Sequence, residues 1–192
     1  MTIFLILAPY GAFATLMLVT SAAVTLFASA AIGMMVMAHD TLRGRSIKVL
    51  GAGSVILFAG LGAYITLVDN SLSSSAVKLM VDAGVFAISL TSLAIRKPFT
   101  LQYAREMVDA ETAQLPGFTR ANYIITWAWT GAFLLMMIAN GLMIYVPGLP
   151  LWSGLLIAFA ARNSAVYFTR WYPKYRKAKH AAPPANALPG IR

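Results

Sequence analysis

Long apolar runs separated by short polar stretches make up most of the chain. No charged residue occurs between Ile3 and Ala38, and further apolar runs cover 47–67, 76–95 and 121–146. Each run approaches or exceeds the roughly 20 apolar residues that a helix needs to cross a bilayer. Because the apolar residues are continuous rather than alternating, the pattern predicts helices and not the strands of a membrane barrel.

The first apolar run is too long for one straight membrane helix. Its 36 residues would extend about 54 Å as a helix, nearly twice the roughly 30 Å hydrocarbon core. We therefore expect a short or partly inserted first helix, disturbed near Pro9 and Gly11. Whether residues 1–38 cross the membrane once or twice stays open. The sequence predicts an all-α integral membrane protein, a six-helix transmembrane bundle forming a single domain over 1–170. Its spans are predicted at about 3–20, 22–38, 47–67, 76–95, 121–146 and 151–169.

The polar segment 97–117 separates the fourth and fifth predicted spans. Pro98 is able to start a helix, and apolar and polar side chains then fall largely on opposite sides until Pro116. This pattern predicts an amphipathic helix lying along the cytoplasmic membrane surface. We expect four residues in or next to this segment to contact partner proteins or lipid headgroups: Arg96, Lys97, Tyr103 and Arg105.

Small residues recur at four-residue intervals in the second predicted span. Ser21, Thr25, Ser29 and Gly33 fall on one helix face, which lets another helix approach closely. Internal packing is the simpler interpretation of this face. Such faces also make an oligomer a possible arrangement.

Composition and charge exclude a soluble protein and a nucleic-acid-binding one. The chain is 59% hydrophobic and only 11% charged, far below the roughly 25% charged residues of soluble domains. Its net charge of +9 comes from Lys and Arg residues between and after the apolar runs, where they set membrane orientation. Their distribution predicts a multi-pass membrane protein with both termini in the cytoplasm. Residues 171–192 are predicted to form a basic, Ala- and Pro-rich disordered tail.

Five polar residues fall inside the predicted spans and form a possible intramembrane polar site. Lys78 and Asp82 lie one helical turn apart, so pairing with each other or with the interface explains them. An interhelical hydrogen bond is the simplest role for an intramembrane amide such as Asn140. Arg162 either extends toward the basic end of its helix or faces the bundle interior, toward Asp82. The full set is Lys78, Asp82, Asn140, Arg162 and Asn163.

The sequence contains no pattern typical of an enzyme. Its two histidines, His39 and His180, lie outside the spans and belong to no Ser-His-Asp set. Haem would need two buried histidines, and the absence of cysteine removes thiolate metal sites and nucleophiles. We therefore expect no catalytic residues, no metal and no cofactor.

Several short motifs give the chain a family likeness. Arg96-Lys97-Pro98 closes the fourth span, Asn122 and Trp127 begin the fifth, and Ala139-Asn140 follows within it. This pattern resembles the bacterial intracellular septation protein A family, also called inner membrane-spanning protein YciB. The resemblance implies a location in the bacterial inner membrane and a non-enzymatic role in septation and the cell envelope, with division or envelope proteins and the lipid bilayer as partners.

A small transporter or lipid-handling protein is the alternative function. It would use Asp82, Asn140 and Arg162 around a water-accessible cavity. Convergence of these residues would favour transport, whereas separate and individually satisfied residues would favour a scaffold.

Overall fold

The structure is a computed structural model that describes residues 3–146 and 148–180, apart from the side chains of 3–6, 151, 155 and 180. Every secondary-structure element in these ranges is a helix, and no strand occurs in them. The helices are α1 (Ile3–Leu16), α2 (Ala22–Leu42), α3 (Val49–Leu67), α4 (Ser74–Ala94), α5 (Phe99–Arg105), α6 (Ala110–Gln114), α7 (Pro116–Tyr145) and α8 (Leu151–His180).

Four of the described helices are long and apolar enough to cross a membrane: α2, α3, α4 and α7. α1 has only 14 residues, and α8 combines an apolar first half with a basic second half. The predicted all-helical fold is therefore confirmed, and its apolar helices have the lengths and composition of membrane spans. The total of six spans stays a prediction.

Each long helix packs against the next long helix along the chain: α1 on α2, α2 on α3, α3 on α4, α4 on α7, and α7 on α8. The long helices alternate in direction. Short connections account for this at every neighbouring pair except α4 and α7, whose antiparallel order is shown by the contacts of Asp82 with Asn140 and of Ser89 with Thr130. One end of the bundle consequently collects the connector after α2, the segment from α4 to α7, and the end of α8. We call it the basic end, since it holds every Lys and Arg of the described chain except Lys78 and Arg162.

Glycines let the first helices approach one another closely. A Cβ atom at Gly33 would lie 2.8 Å from Val55 of α3, and one at Gly84 would lie 2.2 Å from Leu57. On the same face of α2 as Gly33, Thr25 and Ser29 are fully buried. The predicted small-residue face of α2 is therefore a packing surface between helices of this chain.

The segment 97–117 is not the single amphipathic helix that its pattern predicted. It forms α5 and α6, interrupted because the Asp109 side chain accepts a hydrogen bond from the Thr112 backbone N–H and caps a new helix. The apolar side chains Phe99 and Leu101 of α5 are buried, and α5 packs on α7 and α4. This segment therefore closes the basic end of the bundle.

Four helices begin or end several residues away from the positions predicted for the spans, and the first of them, α1, ends at Leu16 rather than near residue 20. α2 continues past residue 38 to Leu42, and α7 begins at Pro116, where proline fits the first helical turn. α8 continues past residue 169 to His180. Residues 171–180 are therefore helical rather than a disordered tail, and 181–192 lie outside the described residues.

α2 and α4 end in the same hydrogen-bonded motif at the basic end. After α4, the N–H groups of Arg96 and Lys97 donate to Leu93 O and Ser92 O, which is the Schellman pattern. α2 ends likewise, and its residue of positive φ is Gly44, at 69°. The corresponding residue after α4 is Arg96, at 57°, although only glycine adopts this conformation without steric cost.

Replacing Arg96 with glycine should therefore stabilise the protein. The expected gain is about 0.5–1 kcal/mol, because the left-handed cost for a side chain exceeds the entropic cost of glycine. Denaturant unfolding in mild detergent would measure it. Gly44→Ala is the matched reverse change and should destabilise by a similar amount; a loss of stability in Arg96→Gly would contradict the prediction.

Candidate functional site

A buried ion-pair network joins three segments at the basic end. Lys48, at the start of α3, places its Nζ atom 3.0 Å from Asp40 Oδ2 and 3.1 Å from Glu106 Oε2. Asp40 belongs to the last turn of α2, and Glu106 follows α5. Since the Lys48 side chain is only 3% exposed, its charge depends on these two carboxylates for compensation.

Arg45 completes this network. Its Nη1 lies 3.3 Å from Asp40 Oδ1, and its Nε lies 3.9 Å from Glu106 Oε2. The backbone of Glu106 is near the surface, but the carboxylate turns inward and leaves 20% of the side chain exposed. We call Asp40, Arg45, Lys48 and Glu106 the ion cluster; its two cations and two anions neutralise one another.

Side-chain and backbone hydrogen bonds hold the ion cluster in place. The Lys48 cation needs this support because Lys48 immediately precedes α3, where the positive end of the helix dipole disfavours a positive charge. Gln102 of α5 accepts from Val49 N at 2.8 Å and so caps α3. The Ser46 backbone N–H donates to Glu106 Oε1 at 3.3 Å. α5 is therefore fastened to the start of α3 by several polar contacts.

Tyr103 lies beneath the ion cluster. The Lys48 Nζ atom is 5.3 Å from the centre of the Tyr103 ring, a cation–π contact. Burial raises the pKa of the Tyr103 hydroxyl well above its usual value, and the electrostatic effect of the nearby Tyr10, Asp40 and Glu106 raises this pKa further. Tyr103 therefore stays neutral and packs inward, rather than lying on the exposed surface where the sequence placed it. The other three residues predicted for that surface, Arg96, Lys97 and Arg105, are exposed.

A narrow cleft adjoins the ion cluster. It lies between α1, α2, α3 and α5, and its polar lining is provided by Asp40, Ser46, Lys48, Ser54 and Tyr103. Its volume of about 30 Å³ holds one or two water molecules, far less than the several hundred Å³ of a typical small-molecule site. Across the described residues, no three His, Asp or Glu side chains gather as a metal site would require. The cleft is therefore suited to hydrating the ion cluster.

A second set of polar contacts joins α4 to α7. Asn140 Nδ2 donates to Asp82 Oδ2 at 2.5 Å, and the Ser89 and Thr130 hydroxyls lie 2.5 Å apart. Nearer the basic end, the Thr126 hydroxyl contacts Thr100 of α5 at 2.6 Å. These bonds satisfy polar side chains inside the bundle and fix α4 and α5 against α7.

The five predicted intramembrane residues do not converge on one site. Asp82 and Asn140 bond to each other, but the described part of the chain gives Lys78 and Arg162 no ion pair. Asn163 is exposed on α8 and donates to Phe159 O in its own helix at 2.7 Å. The arrangement thus joins two helices at Asp82, with Lys78 one turn earlier on α4 and close enough to interact electrostatically with Asp82. Within the described residues, Arg162 and Asn163 of α8 form no hydrogen bond or ion pair with Asp82 or Asn140.

Sequence reasoning missed the ion cluster, because it treated the connector 39–48 only as an orientation signal. One clue was present: Lys48 stands where a helix was predicted to begin, and a cation there needs nearby carboxylates. The identity of those carboxylates was not readable, since Glu106 lies 58 residues further along.

A scan of family models, a search of curated proteins and a search of solved structures each found no match for this chain. The interpretation of the site therefore depends on its own chemistry. Its charges are paired with each other, its hydroxyls and amides bond across helices, and its cleft is the size of water. This chemistry holds helices and α5 together.

Proposed function

We propose that the chain is a non-enzymatic, multi-pass protein of the bacterial inner membrane, with a role in the cell envelope like that of the septation protein A family. The observation that carries this proposal is that buried polar side chains of the described residues bond to one another, beside a cleft of only about 30 Å³. Such an interior favours a scaffold that acts through its surfaces. Resemblance in the Arg96-Lys97-Pro98 and Asn122 to Trp127 motifs supports the link to septation.

The charge distribution supports a cytoplasmic basic end. Lys and Arg concentrate there, whereas Asp69 and Lys78 are the charged residues nearest the opposite end. The excess of positive charge in cytoplasmic loops then places both termini in the cytoplasm. Six spans follow if α1 and the first half of α8 also cross the membrane.

The exposed part of the basic end is the surface we assign to partners or lipid headgroups. Arg96, Lys97 and Arg105 stand beside the ion cluster without contributing to it, so their charges remain available at the surface. The ion cluster holds α5, and thereby Arg105, in a fixed position. Acidic partner proteins or anionic headgroups match this surface in charge.

Replacing Arg96, Lys97 and Arg105 with glutamine should reduce the amount of partner protein or lipid that is captured with the chain by severalfold. Affinity purification from native membranes in mild detergent, with mass spectrometry of proteins and lipids, would measure it. The matched control changes Lys174, Lys177 and Lys179 to glutamine, which removes equal charge from the end of α8. Recovery of division or envelope proteins with the wild type supports the proposal, and unchanged recovery with the first variant contradicts the surface assignment.

A small transporter or lipid-handling protein is the second candidate, and the buried Asp82 is the observation that favours it. In the scaffold, however, Asp82 serves only to bond Asn140. Asp82→Asn keeps the size and the hydrogen-bonding capacity of the side chain, so protein level and cellular function should change less than twofold. Loss of function at a normal protein level would favour transport instead, and Ser89→Ala serves as a control for the same helix contact.

A further inference from the structure

One face of α8 points away from the rest of the chain. α8 packs mainly on α7, through Gly154, Ala161 and Ala165. A helix turns about 100° per residue, which places Asn163 on the side opposite these three. Four large side chains share that side and are 65, 57, 62 and 67% exposed, respectively: Trp152, Leu156, Phe159 and Tyr167. We call these four residues and Asn163 the outer α8 stripe.

Asn163 is the polar member of this otherwise apolar and aromatic stripe. It lies twelve residues after Leu151, about 18 Å along the helix and hence close to the middle of a bilayer roughly 30 Å thick. One amide hydrogen bonds to Phe159 O, but the carboxamide oxygen meets no hydrogen-bond donor among the described residues. A carboxamide at this depth gains from a partner on another helix.

The chemistry of the stripe matches a second copy of the chain. A carboxamide both donates and accepts, so two asparagines satisfy each other, whereas a pair of cations or of carboxylates would repel. Two copies inserted in the same direction share a two-fold axis along the membrane normal, and each residue on that axis meets itself at equal depth. Arg162 lies about 100° around the helix from Asn163 and therefore stays off the axis.

The small-residue face of α2, which made an oligomer possible, is already covered by other helices of this chain. Side chains of this chain lie against Gly33, Gly53, Gly62 and Gly84. The small-residue packing that made an oligomer possible is thus used to hold α2, α3 and α4 together. The outer α8 stripe, in contrast, is covered by no long helix of the described chain.

We propose that two copies of the chain associate through the outer α8 stripe, with the two Asn163 side chains hydrogen-bonded across the two-fold axis. The proposal rests on the membrane arrangement of α8 in the proposed function. It assigns the aromatic and aliphatic members of the stripe to packing, and the carboxamide to the register of the two helices.

Disulfide crosslinking tests this interface directly, because the chain has no cysteine of its own. Leu156→Cys lies in the stripe, and Ile157→Cys is its matched control, since Ile157 is also exposed, at 40%, but points about 100° away. In native membranes under mild oxidation, Leu156→Cys should yield at least fivefold more disulfide-linked dimer. Equal yields, or no dimer from Leu156→Cys, would overturn the proposal.

Changes at Asn163 test the hydrogen bond. In the Leu156→Cys background, Asn163→Leu should weaken association about tenfold, which corresponds to about 1.4 kcal/mol, and Asn163→Gln should retain most of it. Ser164→Leu, one residue away and also exposed, should leave the dimer yield unchanged. Equal yields from Asn163→Leu and Asn163→Gln would contradict the assigned role of the carboxamide.

Labelling with a charged maleimide separates failure of this interface from failure of the membrane arrangement. If Leu156→Cys reacts as fast as Leu42→Cys at the exposed end of α2, α8 is in water and the proposed membrane arrangement is wrong, and the dimer proposal falls with it. If Leu156→Cys is shielded but forms no disulfide, the membrane arrangement stands and the dimer proposal alone is overturned.

Discussion

Lys48→Met should destabilise the protein by about 3–5 kcal/mol, the usual cost of removing one partner from a buried ion pair. The change leaves Asp40 and Glu106 with Arg45 as their remaining cation, 3.3 and 3.9 Å away. Both carboxylates are largely withdrawn from water, so their charge becomes poorly compensated. Denaturant unfolding in mild detergent would give the change in the free energy of unfolding.

Two further variants show whether charge is the cause. Lys97→Met makes the same chemical change at an exposed position of the same end and should cost less than about 0.5 kcal/mol. Adding Glu106→Gln to Lys48→Met should recover at least half of the loss, because the remaining Asp40 and Arg45 charges then balance each other at 3.3 Å. Equal stability of Lys48→Met and Lys97→Met would refute the ion cluster as a structural element.

Gly84→Leu should cost about 3 kcal/mol or more by forcing α3 and α4 apart. A Cβ atom at Gly84 would lie 2.2 and 2.7 Å from the two Cδ atoms of Leu57 and 3.0 Å from its Cγ. A χ1 change of Leu57 would move these atoms, but leucine at position 84 also adds its own Cγ and Cδ atoms to the contact, so the two side chains need more room than the rotamer change supplies. Loss of helical signal at lower temperature, followed by circular dichroism, would measure the effect.

The matched control for this change is Gly60→Leu. Gly60 belongs to α3, as Leu57 does, but a Cβ atom there meets nothing within 4 Å. This variant should be neutral or slightly stabilising, since leucine favours a helix by up to about 1 kcal/mol over glycine. Leu57→Ala should restore part of the stability of Gly84→Leu. A Gly84→Leu protein as stable as Gly60→Leu would show that the close contact of α3 with α4 is dispensable.

The long helices were predictable because the demand for apolar residues across a membrane is local in sequence. Their ends were not, because end positions depend on hydrogen bonds that composition does not reveal. The Ser73 side chain, for example, accepts from Ala76 N to begin α4. The prediction ended the last span where hydropathy falls, but the helix α8 continues through the basic residues that follow.

The polar contacts were predictable in type but not in partner. An interhelical bond was expected for Asn140, and the structure supplies Asp82 as its acceptor. Asp82 and Asn140 are 58 residues apart, as are Lys48 and Glu106, so only the arrangement of the helices brings either pair together. The segment 97–117 was misinterpreted because its apolar periodicity continues through Asp109, where a side-chain cap interrupts the helix.

Cysteine labelling of the loops tests the central claim most directly, that this is a multi-pass membrane protein with its basic end in the cytoplasm. Leu42→Cys and Met107→Cys mark the basic end, and Asn70→Cys and Leu149→Cys mark the opposite end; all four residues are exposed. A charged maleimide that cannot cross the membrane should label the second pair in intact cells and the first pair only after permeabilisation. Labelling of all four in intact cells, or of the first pair alone, would contradict the account.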